Sequence, residues 1–249
     1  MDQIYLPKNR FGLNPGSYVL VREISYENEE KLFYYNIKNL EKVKIIITKE
    51  MFKLLNKYNF DNVIITGSFL DQGFNFNDMD IILIKDHEIS LDQIKIELNE
   101  KLGINAHLIL IDYSSLLKGI STDPLFQTML NNYISKKRFI HNVRPEIKYK
   151  LLDLHLLNSE LLVENFDFLN GQERLSLLRN LMAINLFVVK KQFITKDQIY
   201  KRMKNVFGSD IFENLKNGKI NKKEFAKKYK LMYNKTFELI LEGIKNEQK

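Results

Sequence analysis

The stretch Asp78-Met79-Asp80-Ile81-Ile82-Leu83-Ile84 sets the tightest limit on how this chain folds. Its aliphatic run, mostly β-branched, reads as a short strand that must be buried. Two acids open it, one residue apart. Side chains alternate across a strand, so Asp78 and Asp80 are expected on one face, with Met79 and Ile81 on the other. Two carboxylates about 6 Å apart repel by about 3 kcal/mol at an effective dielectric of about 20. Solvent around both, or a divalent cation between them, relieves that cost.

A second short buried strand, residues 62–67, ends at Gly67-Ser68. A glycine without a Cβ lets the chain approach a phosphate closely, and the backbone N–H groups and the Ser68 hydroxyl are donors for it. Hard oxygen ligands suit Mg²⁺, which keeps several waters and takes the rest of its shell from substrate phosphates. Carboxylates, metal and phosphate cradle together describe phosphoryl or nucleotidyl transfer. The bland alternative is a pair of loop aspartates beside an ordinary Gly-Ser turn.

The rest of the chain divides into an α/β part and a helical part. Residues 17–24 and 31–37 read as paired strands, an N-terminal hairpin extension over 1–38. A helix is expected over 40–58. Another spans 90–103, opened by a Ser90–Gln93 capping box and stopped by Gly103. A third strand follows at 105–111. After it the strands are expected to stop. A helix over 122–138 opens with Asp123 as cap and Pro124 in the first turn. Further helices read at 145–160, 171–191 and 196–206, the last with a Thr195–Gln198 capping box. A final helix over 221–247 aligns Phe225, Tyr229, Met232, Phe237, Ile240, Leu241 and Ile244 on one face. The expected fold class is α+β: a mixed sheet with flanking helices over 39–139, then an all-α domain over 140–249.

Composition narrows the chemistry. The chain has no cysteine, which excludes disulfides, thiolate metal sites and a cysteine nucleophile. The longest uncharged apolar stretches, such as residues 184–189, are too short to span a membrane, and the N-terminus lacks the pattern of a secretory signal. A cytoplasmic protein is expected. The formal charge is +7, and residues 191–249 carry about +8 of it, leaving the rest near −1. That basic end is either a surface for nucleic acid or another polyanion, or a solvated lysine-rich face.

Gly67-Ser68, then Asp78-Met79-Asp80 and an apolar strand, resembles the nucleotidyltransferase superfamily of DNA polymerase beta, kanamycin nucleotidyltransferase and small antitoxin-type nucleotidyltransferases. The helix before Gly67 and the helix–strand unit after Asp80 are similar to that fold. The resemblance implies a nucleotidyltransferase-like sheet and a nucleoside triphosphate substrate held by Gly67 and Ser68. It also implies that Asp78 and Asp80 hold one or two Mg²⁺ ions, which activate an acceptor hydroxyl and stabilise the leaving pyrophosphate. The acceptor is an RNA, a protein or a small molecule.

Three positions depart from the family pattern. Where a third carboxylate is expected at the start of the next core strand, this chain has His107. The residues after Gly-Ser are Phe69, Leu70 and Asp71 rather than basic, and the next glycine, Gly73, comes one residue late. His107 has two readings. It assists catalysis as a proton acceptor or weak metal ligand, or it is a hydrogen-bonded core histidine sharing a face with Ile109 and Ile111. Asp112, at the far end of that strand, lies about 16 Å along it and is a poor substitute for the third acid. His87, His141 and His155 show no metal-ligand spacing. One helical class, the nucleotide-binding HEPN fold, has ribonuclease members whose motif is Arg, four to six residues, then His. Arg179-Asn180 begins such a run, but Ile184 stands where the histidine belongs. The alternative to an enzyme is a degenerate binding module for nucleotide, nucleic acid or a partner protein, for example in a toxin–antitoxin pair.

Overall fold

The computed structural model describes residues 31–74, 76–86, 89–139 and 142–247. Strand 17–24 of the expected hairpin, His87 and His141 lie outside the described residues. The strand elements are β1 (Phe33–Tyr35), β2 (Asn62–Thr66), β3 (Met79–Ile84), β4 (Ala106–Ile111) and β5 (Tyr133–Ser135). The helices of the first half are α1 (Lys42–Leu55), α2 (Leu91–Leu102), α3 (Tyr113–Thr122) and α4 (Pro124–Met129). Those of the second are α5 (Tyr149–Glu164), α6 (Gly171–Lys190), α7 (Lys196–Phe207), α8 (Ile211–Lys216) and α9 (Lys222–Glu247). Among the described residues the architecture is α+β.

The strands form one mixed sheet in the order β1-β5-β2-β3-β4, with β3 and β4 parallel and the other pairs antiparallel. Its central strands read as continuous aliphatic runs because both faces are covered. Val63, Ile65, Met79, Ile81 and Leu83 pack on one face with Met51 and Phe52 of α1 and Ile94 and Leu98 of α2. Ile64, Ile82 and Ile84 face the other way, against Leu116 and Ile120 of α3. The period-2 alternation therefore holds, and it puts Asp80 on the α3 side. The helical half has its own core around α6, where Leu178, Leu181, Met182, Ile184 and Phe187 are buried. Among the described residues no helix is long and apolar enough to cross a membrane.

Several expectations are corrected. Residues 122–138 are not one helix. Asp123 does cap α4, accepting from Leu125 N–H at 2.8 Å, with Pro124 in the first turn. The helix stops at Met129, and Tyr133–Ser135 becomes a strand inserted between β1 and β2. Aromatic and β-branched residues there favour extended backbone once two neighbours offer hydrogen bonds. Residues 113–121, to which local spacing assigns no element, form α3 together with Thr122. Asp112 is its N-cap, accepting from Ser115 N–H at 2.8 Å and from the Ser114 hydroxyl at 2.7 Å. Those donors, the Ser114 hydroxyl foremost, hold its carboxyl far below the usual range. Ser90 stands at the N-cap of α2 without a side-chain capping bond, so that box does not form, whereas the Thr195–Gln198 box does. α8 was also unforeseen. α5 runs later than 145–160, and the 40–58 helix ends as a 3₁₀ turn over its last three residues.

Two contacts join the halves through α4. Gln127 Oε1 accepts from Ile194 N–H at 3.0 Å. His155 on α5 meets Asp123 Oδ2 at 3.1 Å. The Asp123 hydrogen bond raises the His155 pKa above its ordinary 6.5, against the opposing effect of burial. A raised folded-state pKa contributes stability that is full below the ordinary value and is lost as pH rises through the folded one. The melting temperature is therefore expected to fall as pH rises above the ordinary 6.5, and His155→Gln should flatten that slope. An unchanged slope in the variant would remove this pair as the cause.

Candidate functional site

The site begins where β2 ends. Thr66 is buried, and its hydroxyl lies against the carbonyls of Met129 and Asn132, which ties the α4–β5 connection to the strand end. The next residue, Gly67, takes φ +82° and ψ −161°, a conformation essentially open to glycine alone. Ser68–Leu70 then make one 3₁₀ turn. Phe69 and Leu70 are buried in the sheet core, which explains why apolar residues follow Gly-Ser. Asp71 turns outward and its carboxylate lies 3.7 Å from Lys196 Nζ.

Asp80 sits opposite Thr66 in the β2–β3 register, and its carboxylate lies over the bare Cα of Gly67. A Cβ on Gly67 would overlap Asp80 Oδ2 and stand 3.0 Å from Cγ. On the neighbouring strand His107 is in register with Asp80, and its Nδ1 is 2.9 Å from Asp80 Oδ1. The His107 side chain is 59% exposed, so the core reading of this histidine does not hold. Asp78 is exposed and precedes the first residue of β3. The expectation that both acids lie within the strand is corrected to Asp80 alone.

Gly67, Ser68, Asp71 and Asp80 line a cleft of about 320 Å³. The opposite wall comes from the helical half: Arg179 and Asn180 on α6, Lys196 and Tyr200 on α7. Asp78 and His107 are not among the lining residues. Arg179 is half-buried and makes no hydrogen bond or ion pair with a described residue. A larger groove of about 910 Å³ runs past Tyr34, Tyr35 and Arg138, but no carboxylate lines it. Among the described residues, the cleft beside Asp80 brings acid, base and hydroxyl together. Arg179 and Lys196 escaped the sequence reading because only folding brings them to Ser68; no local spacing marks them.

Behind the turn, Lys44 of α1 is fully buried. Its ammonium donates to the Asp71 carbonyl at 2.5 Å and pairs with Glu41 at 3.2 Å. Three phenylalanine rings, Phe69, Phe74 and Phe76, surround it with centroids at 5.4–5.6 Å. Glu41 in turn accepts from Gly73 N–H at 2.5 Å, and Gly73 takes φ +81°. The late glycine thus closes the loop over residues 67–73 onto α1.

Among the described residues no three His, Cys, Asp or Glu side chains converge closely enough to hold a metal ion. A hard cation such as Mg²⁺ does not need a protein cage, since it takes one or two carboxylates and completes its shell with water and phosphate. Asp80 Oδ2, facing Gly67, suits such a shared site. No family model, curated protein or solved structure matches the chain.

Proposed function

We propose that this chain moves a nucleoside monophosphate from a nucleoside triphosphate to an acceptor hydroxyl, with release of pyrophosphate, and that Asp80 and Asp78 would hold the Mg²⁺ ion. One observation carries the reading: the Asp80 carboxylate is seated on the bare backbone of Gly67, in a cleft faced by Arg179 and Lys196. The ion, when bound, would neutralise phosphate charge. The chain's own residues supply the positioning. Gly67 and Ser68 bring backbone and hydroxyl donors to phosphate oxygens. Arg179 and Lys196 supply the positive charge missing after the Gly-Ser pair, Arg179 through a fork that matches two oxygens.

A carboxylate only accepts hydrogen bonds, so His107 donates to Asp80 through Nδ1–H, and in the neutral imidazole Nε2 is then an acceptor. That nitrogen is suited to take the proton of an acceptor hydroxyl. The basic helical half would receive a nucleic-acid or protein acceptor. Labelled nucleoside triphosphates, offered with pooled RNA, protein and small hydroxyl compounds, test the proposal. Asp80→Asn and Asp78→Ala are each expected to lower incorporation by about tenfold or more. Parent-like transfer by both variants would sink it.

A second reading, a binding module without turnover, is favoured by the imidazole of His107 standing beside Asp80 in place of a third acid. Such a module would hold a nucleotide, a nucleic acid or a partner protein, as in a toxin–antitoxin pair. Calorimetry with Mg²⁺ separates the two, because a module returns its nucleotide unchanged.

A further inference from the structure

One face of α5 is left open by the described fold. Leu152, Leu156 and Leu162 are buried in the helical core. On the opposite side Lys150, Leu154, Leu157, Leu161 and Glu164 follow at steps of four and three. At about 3.6 residues per turn these five lie along a single line. Leu154, Leu157 and Leu161 are 61%, 50% and 44% exposed. That is a short heptad-like seam rather than scattered surface leucines. Lys150 and Glu164 are exposed at its two ends, and neither forms an ion pair with a described residue.

The charge order of the seam runs against its own helix. The macrodipole favours acids in the first turn and bases in the last, but α5 has no acid in its first turn and no base in its last. Lys150 stands at one end and Glu164 at the other. A second copy of the same seam, running the opposite way, cancels both mismatches. A two-fold axis through Leu157 sets Lys150 against Glu164 of the partner subunit at each end. The same axis brings Leu154 towards Leu161 of the partner subunit.

We propose that two copies of this chain associate through antiparallel α5 helices. The pairing is isologous and closes on itself, so it gives a dimer and no filament. A single helix pair falls short of the roughly 1,000 Å² of a stable interface, and the dimer dissociates in the range of about 1–100 µM.

Sedimentation velocity of the full chain from about 1 to about 300 µM should show mass rising from monomer to dimer. Leu157→Glu puts two carboxylates on the axis and is expected to raise the dissociation constant by about tenfold or more. Lys150→Glu and Glu164→Lys should each weaken association, and the double variant should restore it, because the swapped ends still oppose. All these positions are exposed, and far-UV circular dichroism checks that the variants fold. A monomer at every concentration overturns the proposal, as does a Leu157→Glu dimer of parental strength. So does a double variant no better than its parents.

Discussion

Replacing Gly67 with alanine is expected to lower stability by about 2–4 kcal/mol, measured by urea denaturation. Two costs add. Backbone at φ +82°, ψ −161° is strained for any residue with a Cβ, by about 1–3 kcal/mol. The new methyl would also overlap the Asp80 carboxylate. That group cannot swing aside freely, because its other oxygen is held by His107 at 2.9 Å. Repeating the substitution in an Asp80→Ala background separates the terms. The overlap is gone there while the strain stays, so the cost should drop by about 1 kcal/mol or more. Equal costs in both backgrounds would mean that Gly67 serves the backbone alone and that its fit to Asp80 is incidental. A loss below about 0.5 kcal/mol in the parent would dismiss both terms.

What was legible in the sequence is what local spacing encodes. The runs Val63-Ile64-Ile65 and Ile81-Ile82-Leu83-Ile84 become strands because aliphatic residues covered on both faces have few other places to go. Gly103 ends α2 in the left-handed conformation at φ +65°, as a stop glycine does. What was missed depends on partners far along the chain. Tyr133–Ser135 continues a helical pattern by local reading and becomes a strand only because β1 and β2 flank it. Asp112 reads locally as a distant acid at the end of a strand, although its position three residues ahead of Ser115 is also an N-cap signal.

The candidate site divides in the same way. Gly67, Ser68 and Asp80 come together as the sequence anticipated, because two adjacent antiparallel strands bring their ends side by side. His107 falls beside Asp80 because parallel β4 keeps register with β3. Asp78 lies one residue outside the strand, where the alternation rule no longer fixes its direction. The basic wall could not be read at all. Arg179 appeared in the sequence only as the start of a motif that Ile184 breaks, and its place in the cleft follows from how α4 docks on α6.

Lys44→Met is expected to cost about 3 kcal/mol, close to the loss on breaking a buried ion pair from one side. Methionine keeps most of the volume and can rest its sulfur against Phe69, Phe74 and Phe76, so the loss reports charge rather than a cavity. Three groups lose their partner: the Asp71 carbonyl, the ring faces and Glu41 Oε2, which is shielded from solvent with the ammonium 3.2 Å away. The Gly73 amide, and less strongly Lys44, holds the Glu41 carboxyl below its ordinary 4.5. A depressed carboxyl contributes stability above its ordinary pKa and loses it as pH falls, so the loop should loosen in acid. At neutral pH the variant should loosen it too. Both anchors of residues 67–73 on α1 run through the Lys44–Glu41 pair, and amide exchange across them should accelerate by about tenfold or more. Since that loop presents Ser68 and the backbone under Asp80, phosphate affinity should fall with it, although Lys44 itself lines no part of the cleft. A variant as stable as its parent, with loop amides exchanging as slowly, would show that the aromatic packing holds the turn unaided and that the buried charge has no part in shaping the site.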